Sequence, residues 1–234
     1  MYYLNMDSEK TWDTIAESFD QTRHRTWKEC IDFIEKLPKE SIVADVGCGN
    51  GRHLIPCAKK CKKVIGIDVS KKLLNIVKKK ANAEKIKNVT LIHADAASIP
   101  IDNESVDAAI YIAALHNIKG KNNRIKSLKE VKRILKKNGV AQISVWSRWQ
   151  DRYRKHFLKK WFIKKDSSEF GDIDIYWRQN GLNIPRFYHL YDKKEFQGDL
   201  VEAGFKIVEI KDVKMHSKRH ADNYFAIVSK SLND

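Results

Sequence analysis

Apolar residues recur at helical spacing from the start of the chain. Trp12, Ile15, Ala16 and Phe19 share one face, and Trp27, Cys30, Ile31, Ile34 and Leu37 repeat the pattern, so two amphipathic helices are predicted before any strand. The period then changes. Residues 41–47 (SIVADVG) read as a buried strand running into glycines, and 63–68 (KVIGID) as a second strand. Ser70 is placed to cap a helix carrying Leu73, Leu74, Val77 and Ala81. Residues 88–95 and 106–113 give strands three and four, a lysine-rich helix bears Ile125, Leu128, Val131 and Leu135, and 139–146 is strand five. Strands alternating with helices imply an α/β fold, a parallel sheet covered on both faces. Beyond them, Asp192 and Glu195 are spaced as a capping box for a helix that Gly204 ends. Residues 205–213 and 223–230 then follow with no helix between them, so they pair antiparallel. Five parallel strands closed by a late hairpin is not the six-strand dinucleotide layout.

Composition adds a partner class. Forty-five lysines and arginines stand against 30 acidic residues, a net charge of +15, which favours nucleic acid or another polyanion over the alternative of a merely solvated lysine surface. No stretch approaches the ~20 apolar residues of a membrane span, and the N-terminus lacks the layout of a signal peptide, so a cytoplasmic protein is expected. The 234 residues read as one domain, with residues 1–40 as a helical lid and 147–191 as a basic, aromatic insertion. Cys57 and Cys61 lie one helical turn apart near Cys48 and His53, but paired C-x-x-C spacing is absent and no metal is expected.

The chemistry begins at Gly47, Gly49 and Gly51, a GxGxG pattern directly after strand one with Asp45 two residues ahead. Glycine is needed there for positive φ and for close approach of a ligand to the backbone. Asp68 ends strand two, with Val69 next to it, where a carboxylate can accept both hydroxyls of a ribose. Asp95 ends strand three, placed to accept from an adenine amino group while the Ala96 N–H donates to the ring.

Together these elements resemble motifs I, II and III of class I S-adenosylmethionine-dependent methyltransferases. The resemblance implies a seven-stranded, mostly parallel sheet in the order 3-2-1-4-5-7-6. It also implies contacts of Gly47, Gly49 and Gly51 with the methionine moiety, of Asp68 with the ribose, and of Asp95 and Ala96 with adenine. Ala113 would line the site after strand four. That strand runs into YIAALHNI (111–118) rather than the [DN]-P-P-[YF] of enzymes that methylate base amines. A carboxylate acceptor fits better: it is ionised at pH 7, needs no general base, and asks for Arg, Tyr and His to orient it. His116 holds the position after strand four, either beside the transferred methyl or simply packed there.

Residues 186–191 (RFYHLY), with 19–27 (FDQTRHRTW), 114–117 (ALHN) and 222–228 (DNYFAIV), resemble the tRNA wobble-uridine methyltransferase family, which esterifies 5-carboxymethyluridine. The likeness covers roughly residues 10–146 and 186 to the end. Residues 147–185 do not match, and Asn117 stands where two consecutive histidines are common. The resemblance implies that Arg23 contacts the cofactor's carboxylate or closes the pocket, with Arg25 in the same lid. It places Arg186, Tyr188 and His189 towards the substrate alongside His116. It further implies tRNA as substrate and a small zinc-binding activator subunit added to the sheet edge at 88–93. The alternative for RFYHLY is an aromatic brace docking the last helix. At the level of the whole chain, a methyltransferase for a small acidic metabolite and a non-catalytic RNA-binding domain also stay open. In 147–165, Trp149, Tyr153, Phe157 and Trp161 repeat every four residues among basic side chains, facing either RNA or the domain; Tyr176, Trp177 and Arg178 are a second candidate contact.

Overall fold

The computed structural model describes residues 6–162 and 168–230. In chain order the elements are α1 (Met6–Thr22), α2 (Lys28–Lys36), β1 (Ile42–Val46), α3 (Leu54–Lys60), β2 (Lys63–Asp68), α4 (Lys71–Ala83), β3 (Val89–His93) and β4 (Val106–Ile112). After a 3₁₀ turn at Leu115–Asn117 come α5 (Lys121–Ile134), β5 (Leu135–Trp146), α6 (Arg154–Phe162), β6 (Asp172–Trp177), β7 (Ile184–His189), α7 (Lys193–Glu202), β8 (Phe205–Val213) and β9 (Asn223–Lys230).

Continuous apolar runs make β1, β2 and β4 the interior of a seven-stranded sheet in the order β3-β2-β1-β4-β5-β9-β8. The first five strands run parallel; β9 is antiparallel to β5, and β8 to β9. This is the expected 3-2-1-4-5-7-6 order, the last two labels shifting because the insertion holds two strands of its own. Alternate residues of β1 feed opposite cores. Ala44 and Val46 pack with Leu128 and Val131 of α5 and with Phe196 and Leu200 of α7, whereas Val43 packs with Cys30, Phe33 and Ile34 of α2, Leu54 of α3 and Val77 of α4. Ile31, assigned to the buried face by spacing, is instead 41% exposed, and Phe33 fills that face.

Caps fix the helix entries. The Ser70 hydroxyl accepts from the Leu73 N–H, and the Asp192 carboxylate from the Glu195 N–H. The expected capping box at α7 is only half formed, because the Glu195 carboxylate accepts from His189 and Arg148 instead of returning to the cap.

The insertion folds as a unit beside the main sheet. β6 and β7 form a two-stranded antiparallel ribbon, turned where Asn180 and Gly181 both take positive φ, and Phe157 of α6 packs against Ile175, Tyr188 and Leu190. Residues 184–189 are therefore a strand, not simply a segment leading into α7. An isolated bridge between Ser147 and Tyr191 joins the insertion's two ends.

Candidate active site

Beyond the C-terminal ends of β1, β2, β3 and β4 lies a cavity of about 950 Å³, its open mouth included. Gly47, Gly49, Asp68, Val69, Asp95, Ala96 and Ala113 all line it. Trp12 and Phe19 of α1 also line it, as do Arg52, His53, Asn117 and Ile118. The glycines differ in duty. Gly47 has φ +64°, and a Cβ there would lie 2.5 Å from the Ala114 Cβ, so the two backbones touch only because glycine is present. Gly51 does not reach the cavity; at φ +80° it sits under Val77, whose methyls would meet a Cβ at 3.1 Å, and it serves helix packing. Asp45 does not line the cavity either. It is buried on β1 with its Oδ2 unpartnered, and burial followed by the Asp68 charge holds its pKa well above the carboxylate range.

Asp68 is the fixed point of the floor. Its Oδ2 accepts from the Gly49 N–H at 2.8 Å and its Oδ1 from the Ser70 N–H at 2.9 Å, so both oxygens are oriented and each keeps a free lone pair. Burial raises its pKa to about 6 against the lowering effect of those two N–H groups. Asp95 is set by the Ala97 N–H at 2.8 Å. Across the cavity the Arg52 guanidinium stacks 4.4 Å from the Trp27 ring centroid, and burial followed by Arg23 lowers its pKa to about 10. His53 is buried with both ring nitrogens unpartnered, and burial depresses its pKa. An anchored carboxylate, a half-buried cation and glycine backbone lining one cavity fit an adenosyl group that ends in an amino acid.

A second cluster of polar and aromatic side chains is built on β7. Arg186 Nη1 donates to the Tyr188 hydroxyl at 2.6 Å, and its guanidinium lies 4.8 Å from the Trp177 ring, 5.1 Å from Tyr188 and 5.7 Å from Trp12. Tyr188 stacks on His116 (5.3 Å) and on Trp146 (5.0 Å). His116 is buried and its Nδ1 accepts from the Trp146 N–H at 3.1 Å, which leaves the neutral ring's proton on Nε2, a nitrogen without a partner. Burial, then Arg186, then His189 push its pKa down to about 3. The cavity wall is made by its neighbour Asn117, not by His116, and Asn117 Nδ2 donates to the Phe187 carbonyl. Arg23 likewise stands outside the cavity lining, 5.1 Å from the Trp177 ring, its pKa lowered by burial and by Arg186; Arg25 is exposed. Trp177 is buried, donating to Ser18 of α1 at 2.8 Å, and so packs the site instead of meeting RNA directly.

His189 departs from the sequence reading. Side chains alternate along a strand, so Arg186 and Tyr188 share one face of β7 and His189 must take the other. There it is fully buried, Nδ1 at 2.7 Å from Asp172 and Nε2 at 2.9 Å from Glu195. Glu169 adds a bidentate pair with the buried Arg124, and Arg148 reaches Glu195 and Asp192. Glu169, Asp172 and His189 bring ligand atoms within 4.8 Å of one another, but each is already engaged in this ion network, which locks the insertion to α5 and α7. His189 thus makes RFYHLY a brace, while Arg186 and Tyr188 on the other face of β7 pack against Trp12 and His116.

Residues 44–143 match the family model for a methyltransferase domain. A structure of an S-adenosylmethionine-dependent methyltransferase from Methanosarcina mazei superposes with TM-score 0.74 at 21% identity, covering 89% of this chain and all of that one. The fold is that of the class I methyltransferases. A complex between the Haloferax volcanii Trm112 methyltransferase activator and a methyltransferase gives TM-score 0.68 at 14% identity, over 96% of each chain. Among curated relatives of this methyltransferase domain, the tRNA (carboxymethyluridine(34)-5-O)-methyltransferase alkbh8 of Xenopus tropicalis is 38% identical over 162 residues, 69% of this chain but only 24% of its own length. The tRNA (carboxymethyluridine(34)-5-O)-methyltransferase of Schizosaccharomyces pombe is 26% identical over 219 residues, 88% of this chain and 92% of that protein.

Sequence reasoning passed over Arg52, Trp12, Phe19 and Asn117. Arg52 directly follows the last glycine of the turn, and Asn117 directly follows His116. Both positions carried a signal. In the sequence Trp12 shows only as one face of a helix, and Phe19 as part of that face and of the FDQTRHRTW segment.

Proposed function

We propose that this protein transfers a methyl group from S-adenosylmethionine to a carboxylate oxygen on the side chain of a tRNA wobble uridine. One observation carries the choice of acceptor. Arg23, Arg52 and Arg186 surround the cavity and its aromatic roof, each interacting with another by charge, and among the described residues none has a carboxylate within ion-pair distance. The cofactor's amino acid end can answer one of these cations. The others ask for an anion from the acceptor.

S-adenosylmethionine supplies an activated methyl; the chain's own residues supply position. Asp68 would hold the ribose, Asp95 and the Ala96 N–H the adenine, Gly47 and Gly49 the methionine moiety, and Arg52 its carboxylate. Arg186, fixed by Tyr188, would draw in the acceptor carboxylate, and His116 would offer its neutral Nε2–H. None of these groups need remove a proton, since the acceptor is already ionised. Trp12 and Phe19 exclude water over the transfer path.

The names of the relatives from Xenopus tropicalis and Schizosaccharomyces pombe support the tRNA substrate, as does the net charge of +15. β3 is an edge strand, half-buried at Ile92 and His93, and would offer backbone groups to a small activator subunit, zinc-binding in this reading; the methyltransferase activator in the Haloferax volcanii complex supports a partner of that kind. A cytoplasmic place of action goes with this reading; no described helix is long and apolar enough to cross a membrane.

The test is nucleoside mass spectrometry of tRNA incubated with the protein and labelled cofactor, with and without an activator. A labelled methyl ester at the wobble uridine supports the proposal. Label confined to a base nitrogen or carbon would overturn it.

A further inference from the structure

α6 shows two opposite environments within two turns. Phe157 is completely buried against the ribbon that carries Arg186 and Tyr188. Four and five residues on, Trp161 is 69% exposed and Phe162 87% exposed. Large aromatics are rarely left in water without a use, and here they sit among exposed Lys155 and Lys159 on the same helix. Trp161 is not loose: its ring lies edge-on to Phe170 at 6.1 Å, which leaves the indole ordered but largely open to solvent.

A groove runs beside α6, lined by three residues of the same helix, His156, Lys159 and Lys160. Lys119 and Phe187 line it too, and the acidic Asp172 and Asp174 form part of its wall. Lys160 Nζ is tied to the carbonyls of Glu169 and Asp172, which leaves Lys119 and Lys159 as the cations for an anionic chain. Lys119 follows Ile118, a residue of the cofactor cavity, so the groove begins where the cavity wall ends. A partner that spans the two needs planar apolar faces spaced along an anionic backbone. Single-stranded RNA has that chemistry: bases stack on aromatic rings while lysines meet phosphates.

We propose that Trp161 and Phe162 are a stacking platform for an unpaired RNA base, with Lys119 and Lys159 on the phosphates that lead from it to the cavity. This rests on the tRNA reading but goes beyond it, because it names where a second nucleotide of the loop is held.

The experiment measures anisotropy of a labelled single-stranded oligouridylate and of an RNA duplex of equal length, titrated with the full chain at several salt concentrations. Trp161→Ala with Phe162→Ala is expected to weaken single-strand binding about tenfold or more. Trp161→Phe should retain most of it, and the duplex should be indifferent to both variants. Lys159→Gln should flatten the salt dependence by roughly 0.7 in log–log slope. Cofactor affinity by calorimetry, expected to be unchanged in each variant, reports the fold. Single-strand affinity in the double variant equal to wild type would overturn the platform, as would a loss confined to anionic phosphatidylserine vesicles. Methyl transfer to tRNA is scored separately. Its absence with the oligouridylate effect intact defeats the tRNA reading alone, while transfer with no oligouridylate effect defeats the platform alone.

Discussion

Arg186 Nη1 is held by the Tyr188 hydroxyl at 2.6 Å, and the same tyrosine ring stacks on His116. One residue therefore orients both the cation and the imidazole proposed to meet the acceptor. Tyr188→Phe removes the hydrogen bond but keeps the stack. It is expected to lower kcat about tenfold with cofactor affinity unchanged, whereas Arg186→Gln should cost about a hundredfold in kcat/KM. Steady-state transfer to tRNA and calorimetry with the cofactor check both. Normal transfer by Arg186→Gln would remove the residue from the acceptor site.

Arg52 and Arg186 are assigned to different ligands, and their variants should separate accordingly. Arg52→Gln is expected to weaken cofactor binding by about tenfold to a hundredfold, the value of a charge-assisted hydrogen bond. Arg186→Gln should leave that affinity alone. Equal losses in the two variants would mean that the cations act only as a shared field.

Asp68, proposed to hold the ribose, should make cofactor binding dependent on pH. With its pKa raised to about 6 by burial, the protein without cofactor carries a protonated Asp68 at pH 5, and a protonated carboxyl cannot accept from two ribose hydroxyls on both oxygens. Affinity should climb with pH, about tenfold from pH 5 to a plateau above pH 7. His116, with its pKa near 3, stays neutral over this range and contributes no imidazole step. A calorimetric series from pH 5 to 8 that is flat in affinity would count against the ribose assignment.

Gly47→Ala meets two obstacles, φ of +64° and the Ala114 Cβ at 2.5 Å. The expected loss of stability is about 2–4 kcal/mol by thermal melting. Ala114→Gly in the same chain relieves the contact but not the dihedral, so partial recovery is expected. Full recovery would show that backbone strain at this turn is negligible.

His189→Gln tests a brace, not a catalyst. Replacing a buried ring held between Asp172 and Glu195 by a neutral amide leaves carboxylates without their partner, and about 3 kcal/mol of stability should be lost. Transfer below the melting transition should persist. A selective fall in kcat with the melting temperature unmoved would return His189 to the reactive groups.

The parts of this site that are local in sequence were legible there. Gly47, Asp68 and Asp95 each sit at the end of an apolar run, and the strand-to-turn change is visible in the residues themselves. Roles that depend on distant partners were not. Trp177 reads as a candidate RNA contact until its N–H is seen on Ser18, 159 residues away. Arg52 gains meaning only because, among the described residues, no carboxylate lies within ion-pair distance of it, and a missing partner has no sequence signature. For His189 the signal was present but misread. Asn180 and Gly181 mark a hairpin, a hairpin imposes a period of two on β7, and that period separates His189 from Arg186 and Tyr188.

α1 touches both halves of the molecule. Asp13 accepts from Ser70 at the entry to α4 and Asp20 accepts from Asn50 beside the glycine turn, while Ser18 accepts from Trp177 and Trp12 faces Arg186 on the ribbon. The helix that roofs the cavity also packs against the ribbon that carries Arg186. A shared roof of this kind leads us to expect ordered turnover, with product inhibition in which the spent nucleoside thioether competes with fresh cofactor but not with RNA.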